Sequence, residues 1–100
     1  MKATKLYEIN KKFNAFLPNE VKEDDYTCVY VCKSDHFKER KSARVILTDD
    51  PNRCLLNPES GFSYSDRDWI EIRDFVLSKR DEIIKEWESA GFQLKFILWF

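Results

Sequence analysis

Two arginines stand in the apolar face of a helix that the sequence predicts over residues 65–90. At about 100° per residue, most apolar side chains of this segment fall in one stripe, which includes Trp69 and Trp87. Other apolar side chains form a second stripe to one side. Arg73 and Arg80, seven residues apart, project between the two stripes. These arginines and tryptophans are therefore candidates for contact with a partner or an anion.

The two arginines have two interpretations. An unpaired charge is costly to bury, so their aliphatic stems would cover a sheet while the guanidinium groups reach water or an acid such as Asp49 or Asp50. The alternative is a binding site, because a planar guanidinium captures a carboxylate or a phosphate through two hydrogen bonds. We expect the structural role, with recognition of an acidic partner as the alternative.

The basic cluster of the chain lies in a polar segment over residues 33–41 and at the start of the following strand. Asp35 and Glu39 dilute its charge. Basic side chains at a hairpin tip contact phosphates, but charge near a strand also keeps a sheet edge from pairing. The cluster predicts either a solvated loop or a nucleic-acid contact, made by Lys33, Lys38, Arg40, Lys41 and Arg44.

Cysteine and histidine provide no metal or catalytic signature. Cys28, Cys32 and His36 are spaced by four, but in a strand the two thiols stand about 13 Å apart and cannot share an ion. Only Cys54 remains as a further thiol, whereas zinc takes four ligands. His36 is the sole candidate acid or base, and no nucleophile is aligned with it. We predict no metal, cofactor, catalytic residue or small-molecule substrate.

The elements that position these residues follow from patterning. Residues 26–32 and 42–48 read as strands of one hairpin, and residues 54–56 as a short strand. Ser65 is a good N-cap for the long helix, and Ser78 is a point at which that helix can bend or break. In the last residues, 92–100, every second side chain from Phe92 to Phe100 is apolar and would share one face, which predicts a terminal strand.

The N-terminal segment is ambiguous. Leu6, Ile9, Phe13 and Phe16 recur at helical spacing, and residues 5–9 also alternate as in a strand. We favour the helix. The predicted fold is α+β, with a small antiparallel sheet packed by one long amphipathic C-terminal helix and completed by a final C-terminal strand.

Composition indicates a single folded domain over residues 1–100. Hydrophobic residues make up 43% of the chain and aromatic residues 15%, which excludes a disordered protein. The chain has 17 basic and 18 acidic residues, so its overall charge is nearly balanced. It could therefore attract a nucleic acid only through a local basic patch. No apolar run reaches the roughly 20 residues that cross a bilayer, so no membrane partner is expected. Three cysteines without a secretory signal predict reduced thiols in the cytoplasm.

From residue 30 onward the chain resembles a small, uncharacterised family of bacterial domains of unknown function. The matching segments are Ser34-Asp35-His36, the strand 43–47, Gly61-Phe62-Ser63 and the helix segments 72–76 and 79–87, which end at Trp87. A Pro-Pro-His-x-His signature of that family has no counterpart here, because residues 37–41 stand in its place. The resemblance implies a small bacterial or mobile-element interaction protein with a toxin–antitoxin-like role, and it implies no activity.

The sequence thus favours a non-enzymatic protein-interaction module that binds a protein partner or forms a homodimer. The apolar tail, with Leu98 and Trp99, is a candidate dimer edge. The alternative is a regulator that contacts nucleic acid through the basic segment 33–44.

Overall fold

Five antiparallel strands pair in the order in which they occur along the chain. The computed structural model describes residues 1–99. The strands are β1 (Ala3–Glu8), β2 (Asn14–Pro18), β3 (Cys28–Cys32), β4 (Ala43–Leu47) and β5 (Cys54–Pro58). The sheet is a meander, so the β1–β2 turn, the β3–β4 loop and the end of β5 lie at one end of it, here called the hairpin end.

The N-terminal helix predicted from Leu6 to Phe16 is wrong, and two strands stand in its place. Asn10 forms the turn between them, because its side-chain oxygen accepts hydrogen bonds from the N–H groups of Lys12 and Phe13, each at 2.8 Å. Asparagine favours this kind of turn, which mimics a backbone reversal. The alternative prediction, a strand over residues 5–9, overlaps most of β1.

The single long C-terminal helix is also wrong. Two helices occupy its place, α1 (Asp66–Ser78) and α2 (Arg80–Ser89). Lys79 separates them with φ −103° and ψ 8°, and the Ser78 hydroxyl donates to the carbonyl oxygen of Phe75 at 2.6 Å. Serine hydroxyls compete for helix carbonyls in this way and interrupt regular geometry. The break at Lys79 allows α2 to bury Ile83 and Trp87.

The predicted final strand is absent from the described residues, and Phe100 lies outside them. The tail instead crosses the ends of β3 and β4. Thr27 N–H donates to the Lys95 carbonyl at 2.8 Å, and Asp49 N–H donates to the Ile97 carbonyl at 2.9 Å. At these strand ends the described part of the tail forms one isolated bridge, between Thr48 and Ile97, and no ladder.

The core lies between the sheet and the two helices. One face of the central strands contributes Val29, Val31, Val45 and Leu47, all fully buried, against Ile72, Val76 and Ile83 of the helices. The opposite face carries a second buried cluster, in which Trp87 of α2 packs with Leu17, Cys28 and Ile46. The β3–β4 loop covers another part of that face, where Phe37 packs 5.4 Å from Tyr30 and 5.6 Å from Phe16, measured between ring centroids. The chain is thus α+β, with a five-stranded antiparallel sheet followed by two short helices.

Neither α1 nor α2 has the length and apolar character needed to cross a bilayer, and no other helix of residues 1–99 has them either.

Candidate anion-binding cleft

A cleft of about 420 Å³ opens at the hairpin end of the sheet and is lined by three lysines. Its walls are the β3–β4 loop and the connection from β5 to α1. The residues that line it include Lys33, Lys38, Lys41, Ser34, Phe62 and Ser63. Three members of the basic cluster are therefore brought to one concave surface.

The two walls are held together by backbone contacts. Gly61 N–H donates to the Arg40 carbonyl at 3.2 Å, and Glu59 N–H donates to the Ser42 carbonyl at 3.0 Å. A Cβ atom at Gly61 would clash with the Arg40 carbonyl oxygen, so glycine is required for this close approach. Across the cleft, Lys33 Nζ donates to Ser63 Oγ at 3.0 Å.

The acids of the same loop are paired away from the lysines. Asp35 accepts from Lys5 Nζ of β1 at 2.9 Å, and this hydrogen bond lowers the pKa of the Asp35 carboxyl below its ordinary value. Glu39 contacts the amino group of Met1 at 3.3 Å. Within residues 1–99, none of the three cleft lysines forms an ion pair. Their positive charge is therefore not compensated by a carboxylate of the described chain.

The other two residues of the basic cluster do not line the cleft. Arg40 has an exposed side chain, and its carbonyl oxygen binds Gly61. Arg44 is half-buried and pairs with Tyr30 across β3 and β4, on the face of the sheet opposite Val29 and Val45. The structure thus divides the five predicted residues into three in the cleft, one beside it and one on a sheet face.

An exposed aromatic ring stands at the margin of the cleft. Tyr64 follows Ser63 directly, is 43% exposed, and has its ring centroid 5.3 Å from that of Phe62. Phe62 is buried and lies 5.8 Å from Phe13. Sequence reasoning did not single out Tyr64, because an isolated tyrosine in a turn carries no signal without its neighbours.

A larger concavity of about 740 Å³ lies on another part of the surface, next to Tyr30. Its lining mixes Lys2 and Lys22 with the acids Glu20, Asp25 and Glu39. The smaller cleft is the better candidate for an anion, because its charged lining has a single sign.

Arg73 and Arg80 contact groups of their own chain. Arg73 donates to the neighbouring Asp74 through Nε at 3.2 Å and Nη2 at 3.1 Å. Arg80 donates from Nη1 to the Thr48 carbonyl at 2.8 Å, and its guanidinium carbon lies 5.0 Å from the centroid of the Phe96 ring. In this arrangement Arg80 joins α2 to the sheet and to the tail.

The remaining candidates for partner contact differ in exposure. Trp87 is fully buried and donates from Nε1 to the Gln93 carbonyl at 3.0 Å, and Trp69 is half-buried against the core. Leu98 is 62% exposed and Trp99 is 37% exposed, with the guanidinium carbon of Arg53 5.2 Å from the Trp99 ring. Of these four candidates, only the two tail residues present substantial apolar surface to a partner.

The three cysteines are free and buried. Burial raises the pKa of Cys28 to about 12 and that of Cys54 to about 11, so both are protonated thiols and weak nucleophiles near neutral pH. Cys28 and Cys32 stand at opposite ends of β3, and His36 is exposed in the loop. Within the described part of the chain, histidine, cysteine and acidic side chains form no group of three that could hold a metal ion.

Comparisons of the chain with protein families, curated proteins and solved structures found no match. The resemblance to a bacterial domain family therefore stays a prediction.

Proposed function

We propose that this protein binds nucleic acid through the phosphates that its lysine cleft accommodates. Lys33, Lys38 and Lys41 line one cleft, together with Ser34 and Ser63. Ammonium and hydroxyl groups are the usual donors to phosphate oxygens in nucleic-acid complexes. Proteins that neutralise phosphates with lysine release counterions, which makes such binding favourable at low salt.

The observation that carries this proposal is the pairing of Asp35. In the sequence this carboxylate dilutes the basic cluster, but in the fold Lys5 of β1 pairs with it at 2.9 Å. The cleft consequently has a locally positive field although the chain has a net charge of −1.

Anisotropy of a fluorescent 20-nucleotide DNA, titrated with protein between 50 and 200 mM salt, tests the proposal. Three phosphate contacts give a slope of log K against log salt of about −2 to −3. The double variant Lys38→Glu with Lys41→Glu should lose most of the affinity. A matched control, Lys22→Glu with Lys85→Glu, makes the same change of net charge outside the cleft and should bind more tightly than the cleft variant. Absence of binding at 50 mM salt, or equal losses in the two variants, would contradict the proposal.

A second candidate function is protein interaction through the tail, with homodimerisation as its simplest form. The observation that favours it is the exposure of Leu98 beside Trp99. Light scattering after size exclusion should then give a dimer that the Leu98→Asp variant converts to a monomer. A wild-type monomer at high protein concentration would contradict the homodimer.

A further inference from the structure

We infer that the cleft takes single-stranded nucleic acid, with one unpaired base stacked on Tyr64 and the adjoining phosphate among Lys33, Lys38 and Lys41. This inference rests on the proposed function and deepens it, because it names the form of nucleic acid. The geometry that points to it is an exposed ring next to a cleft lined by lysines.

Tyr64 is placed within one residue of the cleft lining. Phe62 and Ser63 line the cleft, and the ring of Tyr64 leans on the ring of Phe62 at 5.3 Å with an interplanar angle of 36°. A base on the free side of Tyr64 would therefore have its backbone close to the lysines. Proteins that bind single strands combine such an aromatic platform with a positively charged groove.

The residues on both sides of Tyr64 are fixed by contacts of their own. Before it, Phe62 is 7% exposed and packs in the core beside Phe13. After it, Ser65 caps α1, with its hydroxyl accepting from Asp68 N–H at 3.1 Å. Little conformational freedom remains to be lost when a base binds, and preorganisation of this kind favours affinity.

The helices make a duplex a poor alternative. Many proteins that read the major groove of a duplex insert a helix between two rows of phosphates. The exposed surface of α1 and α2 instead carries acids, which include Glu71, Asp74, Glu82 and Glu86. These carboxylates repel phosphates and disfavour insertion of either helix into a groove, whereas a flexible single strand can enter the cleft of about 420 Å³ at the hairpin end.

The test compares a 12-nucleotide single strand with a blunt duplex of the same sequence, using wild-type protein and Tyr64 variants. Wild type should prefer the single strand. Tyr64→Leu should weaken single-strand binding about 5- to 150-fold, the range measured for loss of one stacked base. It should leave the salt slope unchanged, because it removes no charge. Tyr64→Phe keeps the ring and should keep the affinity, and Tyr64→Trp offers a larger ring and should bind at least as tightly.

Trp99→Leu is the matched control, because it removes another exposed aromatic ring, one that lies 5.2 Å from the guanidinium carbon of Arg53 and is not part of the cleft lining. It should leave binding unchanged. Equal affinity for duplex and single strand, or normal binding by Tyr64→Leu, would overturn the inference and leave the proposed function standing. Failure of wild type to bind either oligonucleotide would overturn the proposed function itself.

Discussion

At the scale of single residues, Arg73 and Arg80 look alike in the sequence, yet their guanidinium groups have different surroundings. Arg73 bonds to its own neighbour, Asp74, and both side chains are more than a third exposed. Arg80 reaches across to the Thr48 carbonyl and covers the Phe96 ring. An exposed ion pair contributes little to stability, whereas a half-buried guanidinium with a carbonyl and a ring contributes more.

Replacement of the two arginines should therefore have unequal effects. Arg80→Ala should lower the free energy of unfolding by about 1–2 kcal/mol, because a hydrogen bond and a cation–π contact are lost together. Arg73→Ala should change it by less than about 0.5 kcal/mol. Urea unfolding monitored by tryptophan fluorescence measures both values. Equal effects of the two variants would show that Arg80 does not join α2 to the sheet.

At the scale of elements, the start of α1 is tied to the first hairpin. The Ser65 hydroxyl accepts from Asp68 N–H, and the Asp68 carboxylate accepts from Ser65 N–H at 2.9 Å. Lys12 of the β1–β2 turn donates to the same carboxylate at 2.9 Å. The helix cap thus connects two distant parts of the hairpin end, next to the cleft wall that carries Tyr64.

This arrangement predicts a particular pH dependence of stability. The hydrogen bond from the backbone of Ser65, followed by that from Lys12, lowers the pKa of Asp68 below its ordinary value of 3.8. A carboxyl group whose pKa is lower in the folded than in the unfolded state stabilises the fold at pH values above its unfolded-state pKa. This stabilisation is lost as the pH falls through the folded-state pKa. Wild type should therefore lose stability below about pH 4 more steeply than Asp68→Asn, as measured by urea midpoints between pH 7 and pH 2.

Asp24→Asn is a suitable control for the acid titration, because Asp24 is almost fully exposed and its one ion pair is long, at 4.0 Å. Its acid profile should match that of wild type. If Asp68→Asn also follows the wild-type profile, the cap is not a source of the acid sensitivity.

At the scale of the whole molecule, the tail closes the end of the sheet opposite the cleft. It begins beside Trp87, whose ring lies 5.2 Å from Phe92, and it continues past the ends of β3 and β4. Thr27 is the main anchor, because its N–H donates to the Lys95 carbonyl and its hydroxyl accepts from Lys95 N–H at 3.0 Å. Since Thr27 is fully buried, these bonds are shielded from water.

Thr27→Val should weaken this anchor without changing the shape of the core, because it removes one of the two hydrogen bonds to Lys95. The substitution leaves Lys95 N–H without its acceptor, so we expect a loss of about 1–3 kcal/mol in the free energy of unfolding. Amide exchange at Lys95 should become faster. Thr4→Val removes an exposed hydroxyl that bonds to Asn19, and it should change stability by less than about 0.5 kcal/mol. Unchanged exchange at Lys95 in Thr27→Val would contradict the role of the anchor.

Local patterns in the sequence were sufficient for part of the fold. The runs that became β3, β4 and β5 are dense in β-branched or apolar residues, and Ser65 was identified as the N-cap. These features depend on side chains within a few residues of one another. The prediction of an N-terminal helix was wrong because the apolar residues between positions 6 and 16 fit the period of a helix as well as that of a strand. The turn at Asn10 favours two strands. The prediction of a final strand was wrong because strand pairing depends on whether the tail reaches the edge of the sheet or the ends of its strands.

The sequence by itself determined that the chain carries a basic cluster, an α+β set of elements and no metal signature. Only the tertiary structure decided which lysines share a cleft, that Tyr64 stands beside it, and that Arg80 is used within the chain. The reason is that charge on a surface depends on partners far apart in sequence. Lys5 and Asp35 are separated by 30 residues, and the meander brings them together, which leaves Lys33, Lys38 and Lys41 with their charge unopposed by Asp35.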